Sequence, residues 1–291
     1  YDNHGDQRGN FTIMNDRTIC ILVPAYNYFE GVERILNLVK SDDRICVVIS
    51  DDSDDRTCAK KIYSMVKTID LERIMYVVGP GEGAGKNWNS LFKYINAKYY
   101  TFLHHDEVYS DLLFVDILQN NPKLDCLILP YWVVHSHGIR KVSSKCQKAT
   151  MFVAKKFLPI FNFLGPTSTV IITSSVTPKF NLDLNWYIDV EWLHRALKRC
   201  SQNILFGGMS TVVESYQYEN SITNSSIASI EALAKKEKRI LFQNGYKWMI
   251  VNWYIYGLLI SKFTFYSFGF FSYCRFYTAI FFSHVIKTFS R

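Results

Sequence analysis

The sequence lacks most of the features that sort a protein quickly. Its seven cysteines (Cys20, Cys46, Cys58, Cys126, Cys146, Cys200 and Cys274) are odd in number, scattered, and form no CxxC pair. That spacing argues against a disulfide framework and a structural zinc site, and fits a reducing cytosol. No apolar run reaches the roughly 20 residues a membrane-spanning helix needs. The best candidate, residues 248 to 261, stops after 14 residues at Lys262, and Arg275 interrupts the next. Residues 1 to 17 are polar and do not read as a signal peptide, while a first residue other than Met leaves native N-terminal residues open. Acidic residues are absent after Glu237, where Lys238, Arg239, Lys247, Lys262, Arg275, Lys287 and Arg291 follow. Those seven cations equal the whole net charge of +7, so the body is neutral and the tail basic.

What is present is a globular composition, 48% hydrophobic over 291 residues, enough for one large α/β domain with an appendage. Short apolar runs at 18 to 23, 45 to 50, 74 to 78, 99 to 103 and 124 to 129 read as strands covered on both faces. Stretches near 29 to 40, 55 to 68, 87 to 97 and 110 to 120 have helical spacing. This alternation predicts a mostly parallel sheet with crossover helices, whose ligand sites lie beyond the C-terminal strand ends. The chemically interesting residues fall there: VPAYN (23 to 27), SDDSDD (50 to 55), GPGEGAGKNWN (79 to 89) and HHDE (104 to 107). Residues 130 to 150 read as a basic loop or hairpin, either a solvated excursion or a flap over a phosphate-bearing substrate. Helices are expected near 186 to 199 and 226 to 243, the second with a charged run, AKKEKR, that reads as a solvated face.

Each motif has a chemical reading and a plainer one. Asp106 and Glu107 end a buried strand, where carboxylates suit a hard cation such as Mg²⁺ or Mn²⁺ or the cap of the next helix. His104 and His105 lack the HExxH spacing of a zinc hydrolase. GPGEGAGKN fails the GxxxxGK[ST] phosphate-loop pattern at Pro80 and Asn87, and GxGxxG fails at Ala84. It is then a plain loop, or one that brings Lys86 and Asn87 to a diphosphate. Asp55, ahead of a helix, reads as a cap, which leaves Asp51 the better ligand for a base N–H. In WYIDVEWLHRAL, Glu191 is spaced to pair with Arg195, leaving Asp189 the freer carboxylate.

In order and spacing these stretches resemble the large inverting glycosyltransferase family with the A-type fold, which contains bacterial O-antigen and capsule sugar transferases. The resemblance runs from about Thr18 to Thr223 and implies an α/β, Rossmann-like, mostly parallel sheet with crossover helices, extended here by C-terminal amphipathic helices. VPAYN is similar to the family's first-strand signature, ISDDSDDRT to its VDDGSTDxT, NWN to its third-loop Asn motif, FLHHDE to its DxD metal motif, and YIDVEWLHR to its xEDxxxxxR helix. By resemblance, Pro24, Ala25, Tyr26, Asn27, Asp51, Lys86, Asn87 and His105 contact a nucleotide-diphosphate sugar, Asp106 binds Mn²⁺ or Mg²⁺, and Asp189 is the general base. NFLGPTS (162 to 168) and YENSIT (218 to 223) are similar to segments shaping the acceptor side, with Gly165, Ser168 and Glu191 as candidates. Two departures stand out: His104 replaces the first acid of DxD, and Ser50 the first Asp of DDGS.

The expected domains are a polar segment 1 to 17, a catalytic domain 18 to 237 (a nucleotide-sugar half 18 to 129 and an acceptor half 130 to 237), and a basic aromatic tail 238 to 291. Residues 246 to 291 hold 17 of the chain's 46 aromatic residues. Rings together with cations point to an anionic membrane surface rather than nucleic acid. If the segment is helical, Ser261, Thr264, Ser272, Arg275 and Ser283 share an arc of about 100°. The alternative is that the rings pack on the catalytic domain or form a homo-oligomer contact. The expected setting is therefore the cytoplasmic face of a membrane, with a lipid-linked or free glycan as acceptor. Two rivals are a nucleotidyltransferase, for which VPAYNYFEG supplies no triphosphate loop, and a non-catalytic sugar-nucleotide or membrane-binding module, which His104 favours.

Overall fold

The computed structural model describes residues 17–69, 71–135, 138–142, 147–148, 164–200, 203–216 and 227–246. The first strand, β1 (Ile19–Ala25), is buried along its whole length. Its odd-numbered residues Ile19, Ile21 and Val23 join one core cluster, while Cys20 and Leu22 join another on the opposite face. A period of two with both faces apolar requires cover on both sides. On one side the cover is α1 (Phe29–Val39) and α2 (Arg56–Ile69). Val32, Ile35, Leu36 and Val39 of α1 are buried, the i, i+3, i+4, i+7 stripe of an amphipathic helix.

Around β1 lie β2 (Ile45–Asp51), β3 (Ile74–Val78) and β4 (Tyr99–Phe102), all parallel. The helix α3 (Ala84–Leu91) joins β3 to β4. Beyond β4 come β5 (Glu107–Tyr109), α4 (Phe114–Asn120), β6 (Cys126–Ile128), and the hairpin β7 (Tyr131–His135) with β8 (Gly138–Val142). Then follow β9 (Val170–Thr173), α5 (Ile188–Arg199), β10 (Ile204–Phe206), β11 (Val213–Tyr216) and α6 (Ile227–Gln243). The main sheet runs β10-β6-β9-β4-β1-β2-β3, with β9 antiparallel to both neighbours. A second sheet, β5-β11-β7-β8, stands beside it.

The strands read from the sequence are present with shifts of one or two residues at their ends, and residues 130 to 150 include the expected hairpin. The sequence reading did not include β9 or the second sheet. The expected boundary between residues 237 and 238 falls inside α6. The C-terminal amphipathic segment lies outside the described residues. Among the described residues no helix is long and apolar enough to cross a membrane.

Candidate active site

Register brings the motifs together. Ala25 of β1 pairs with Asp51 of β2, and Asp51 pairs with Val78 of β3, so three strand ends finish level. The following loops are tied to one another. Asn27, in a left-handed conformation (φ 50°), donates its backbone N–H to Ser53 Oγ at 2.8 Å, and its Oδ1 accepts from Asp55 N–H at 3.0 Å. Its side-chain amide also donates to Asp54. Asn is among the few side chains that tolerate this backbone region. The exposed Tyr26 hydroxyl donates to Asp54 at 3.2 Å.

The acidic run after β2 is divided as charge repulsion demands. Asp55 accepts from Thr57 N–H at 2.8 Å as a cap at the start of α2. Asp52 accepts from Gly81 N–H at 2.6 Å, gripping the glycine loop. Asp51, 4% exposed, accepts from Ser53 N–H and the Tyr76 hydroxyl, each at 3.0 Å. Burial, then the Asp51 charge, push the Tyr76 hydroxyl well above its ordinary pKa, so it stays a donor. Asn87 is buried and donates to Ser50 C=O at 3.1 Å, while its Oδ1 has no hydrogen-bond partner. Lys86 is paired with Glu82 one turn earlier, both about half exposed.

At the end of β4, His105 Nδ1 lies 3.3 Å from Pro24 C=O, tying that turn to β1. His104 Nε2 lies 2.8 Å from Thr167 Oγ1, and its ring meets Trp88 edge-on at 4.9 Å. Burial lowers its pKa to about 4, so it is neutral at pH 7. Asp106 is half-buried, and its carboxylate has no hydrogen bond or ion pair among the described residues. It is not a helix cap: ahead of α4 it is Asp111 that accepts from Leu113 N–H at 2.9 Å. Glu107 is 4% exposed. Burial, and then the Asp106 charge, push its carboxyl well above the usual range, and Asp189 adds to the effect. The Glu107 carboxyl of β5 thus lies within electrostatic reach of both Asp106, in its leading turn, and Asp189 of α5.

Asp189 stands in the first turn of α5 and accepts from Val190 N–H at 2.8 Å. Its pKa is raised to about 6, chiefly by burial, with a further upward push from Glu237. Glu191 does not share its surroundings. Its oxygens take two bonds from Arg195, at 2.5 and 2.6 Å, and a third from the Tyr246 hydroxyl at 3.2 Å. The expected ion pair is therefore formed, with Glu191 buried and Arg195 half-buried. Gly165 has φ +90°, and a Cβ there would lie 2.6 Å from the Tyr131 ring, so its role is close packing on β7. Ser168 is fully buried beside Glu107. The sequence reading missed Thr167, Trp88 and Glu237. It also placed Glu237 on a solvated face; the structure corrects this, since Glu237 is 1% exposed and lies behind Asp189.

Among the described residues no three His, Cys, Asp or Glu side chains converge as a metal cage. The donors present suit a cation held by one or two carboxylates and the substrate's own phosphates, a common arrangement for Mg²⁺. Among these carboxylates that of Asp106 has no hydrogen bond or ion pair within the described residues.

The family model described as "Glycosyl transferase family 2" matches residues 20–156. That segment, just under half of the chain, is similar to glycosyl transferase family 2. The matched segment contains β1 through β8 and all the strand-end motifs up to HHDE; Asp189 lies beyond it. No curated protein sequence matches the chain significantly. Among solved structures, residues 1-349 of S. aureus TarS in complex with UDP-GlcNAc are similar with a TM-score of 0.57 at 16% identity, over 77% of this chain and 65% of that one. The mannosyltransferase PcManGT from Pyrobaculum calidifontis, in complex with GDP-Man and Mn²⁺, gives 0.55 at 11% identity, over 79% and 65%. The chain thus spans about 65% of the length of each. At these identities the likeness establishes the fold, which is the A-type glycosyltransferase fold.

Proposed function

We propose that the chain transfers a sugar from a nucleoside-diphosphate sugar to a hydroxyl of a glycan acceptor, with inversion at the anomeric carbon. The observation that carries this reading is Asp189: a half-buried carboxylate raised to about 6, unpaired with any cation among the described residues and within electrostatic reach of Glu107 at the edge of the strand-end loops. A base needs a pKa near the working pH and freedom from an ion pair. Asp189 meets both conditions, while Glu191 is tied up in its pair with Arg195.

The Asp51 carboxylate is held by Tyr76 and Ser53 at the floor of the site, where it can accept the N–H of a base. Asn87 presents an unpartnered carbonyl from α3. Lys86 can exchange its exposed partner Glu82 for a phosphate, because such surface pairs are worth at most about 1 kcal/mol. In the reaction, Asp189 takes the proton of the acceptor hydroxyl as its oxygen bonds to the anomeric carbon. The bond from that carbon to the diphosphate breaks, and the nucleoside diphosphate leaves with the electron pair. A divalent cation, Mn²⁺ or Mg²⁺, bound at Asp106 and the phosphates would neutralise charge on the leaving group. The complexes of TarS with UDP-GlcNAc and of PcManGT with GDP-Man and Mn²⁺ support a nucleotide-sugar donor and a metal.

The basic, aromatic residues 238 to 291 support a lipid-linked acceptor, of the O-antigen or capsule kind, and attachment to the cytoplasmic face of an anionic membrane. The test incubates the full chain and Asp189→Asn with UDP-GlcNAc and with GDP-mannose plus Mn²⁺, in the presence of lipid-linked glycan extracts, and measures released UDP or GDP. Release by the wild type and its loss in the variant are expected; equal release by both would remove Asp189 as the base.

A further inference from the structure

The run AKKEKR on α6 is only partly a solvent face. Lys235, Lys236 and Arg239 are exposed, yet Glu237 among them is 1% exposed. Its carboxylate accepts from the backbone N–H of Asn185 at 2.6 Å, of Trp186 at 3.0 and 3.1 Å, and of Tyr187 at 2.9 Å. These residues immediately precede α5, whose N-cap residue Tyr187 makes no side-chain cap bond. A carboxylate brought from another helix thus binds three consecutive amides at the positive end of α5, where negative charge is favoured. Each bond is charge-assisted and stronger than a neutral one.

The consequence falls two residues on. Among the described residues the side-chain bond of Asp189 is to its neighbour Val190, which leaves its position set by where α5 begins. That beginning is also tightly packed: a Cβ on Gly85 of α3 would come within 2.9 Å of Ile188 Cδ1. A shift at 185 to 187 would therefore push α5 against the helix that carries Asn87. α5 and α6 are tied again by the Tyr246 hydroxyl, just beyond α6, which donates to Glu191 at 3.2 Å, and by Leu241, 2% exposed, in the core cluster that holds Trp192 and Ala196.

We propose that Glu237 is a positioning residue for the transfer reaction: its carboxylate clamps the turn at 185 to 187 and so sets the place of Asp189 relative to the donor. This rests on Asp189 being the base. Misplacement of a reacting group by about 1 Å can lower turnover on the order of a hundredfold without weakening binding at remote contacts.

The experiment compares the full chain with Glu237→Gln and Asp189→Asn. Gln keeps the shape and one accepting oxygen but turns an NH₂ toward the amides. Hydrogen exchange at residues 185 to 187 is followed by mass spectrometry, UDP binding by calorimetry, and UDP release from UDP-GlcNAc and GDP release from GDP-mannose by steady-state kinetics. In Glu237→Gln, exchange at 185 to 187 should quicken about tenfold or more, as expected for loss of hydrogen bonds to a charged group. UDP affinity and donor KM should stay within about twofold, and kcat should fall about tenfold or more. Unchanged exchange at the three amides overturns the clamp whatever the activity, and quickened exchange with full kcat overturns its catalytic role. Full activity in Asp189→Asn, with the turn loosened in Glu237→Gln, removes the base assignment and leaves the clamp a structural tie. If Glu237→Gln does not fold, Glu237→Asp, which keeps the charge but is one methylene shorter, is read by the same exchange measurement.

Discussion

Asp189 combines two tendencies that a surface carboxylate does not. Burial raises its pKa to about 6, while hydrogen bonds from the backbone of Val190 and of Asp189 itself favour the charged form without offsetting that burial. As a base it acts ionised, so kcat should fall tenfold per unit as pH drops below about 6 and level off above, which a pH–rate profile measures. Asp189→Asn should lower turnover about a hundredfold or more and erase that limb. Stability carries the opposite sign. A carboxyl with a raised folded-state pKa favours folding when protonated, and that contribution is present below its unfolded pKa and lost as pH rises through about 6. Asp189→Asn should therefore match or exceed the wild-type melting temperature at pH 7.5, and a large drop would show that the carboxylate has a structural partner. Asp106 is tested separately: Asp106→Ala should abolish the Mn²⁺-dependent part of UDP binding in calorimetry while leaving metal-free binding unchanged, and Mn²⁺-dependence that survives would remove it as the metal ligand.

Among the elements, α5 carries the heaviest burden, since Ile188, Val190, Glu191, Trp192, Leu193, His194, Ala196 and Leu197 are all buried. Such a helix has little polar face left, and its one buried ion pair must be complete. Arg195→Met should destabilise the chain by about 3 kcal/mol or more in denaturant titration, because Glu191, 4% exposed, would lose its cation and keep the Tyr246 hydroxyl as its side-chain partner among the described residues. A change below about 0.5 kcal/mol would mean the pair is replaceable. This pairing was legible in the sequence because i, i+4 spacing is local. So were β1 to β4 and the motifs at their ends, since an apolar run followed by acidic or glycine-rich residues needs no long-range information. The antiparallel β9 was not legible: VIIT has four residues, and its direction depends on partners some 45 and 70 positions earlier. Glu237 was hidden for a related reason. Its partners are backbone amides about 50 residues away, and a Lys- and Arg-flanked Glu on an amphipathic helix looks like a solvated one.

At the scale of the whole molecule, charge and rings are unevenly divided: the neutral body holds the strand-end site, while every excess cation lies from Lys238 onward. α6 crosses this division. Its buried residues Glu237 and Leu241 pack on the catalytic body, and Tyr246 follows as a partner of Glu191. A cut near residue 240 would therefore damage the site as well as remove the tail, whereas a cut after Tyr246 spares these contacts and removes 17 aromatic residues save Tyr246 itself. Chains ending at 246 should lose sedimentation with vesicles containing anionic lipid, and the full chain should bind them less as salt is raised, since charge attraction is screened over about 8 Å at physiological ionic strength. Hydrolysis of UDP-GlcNAc or GDP-mannose, which needs no membrane acceptor, should be kept by the shortened chain. Loss of vesicle binding with donor hydrolysis retained would separate the tail's membrane role from the chemistry. Equal sedimentation of the two chains would instead assign residues 247 to 291 to packing on the body or to contact between copies.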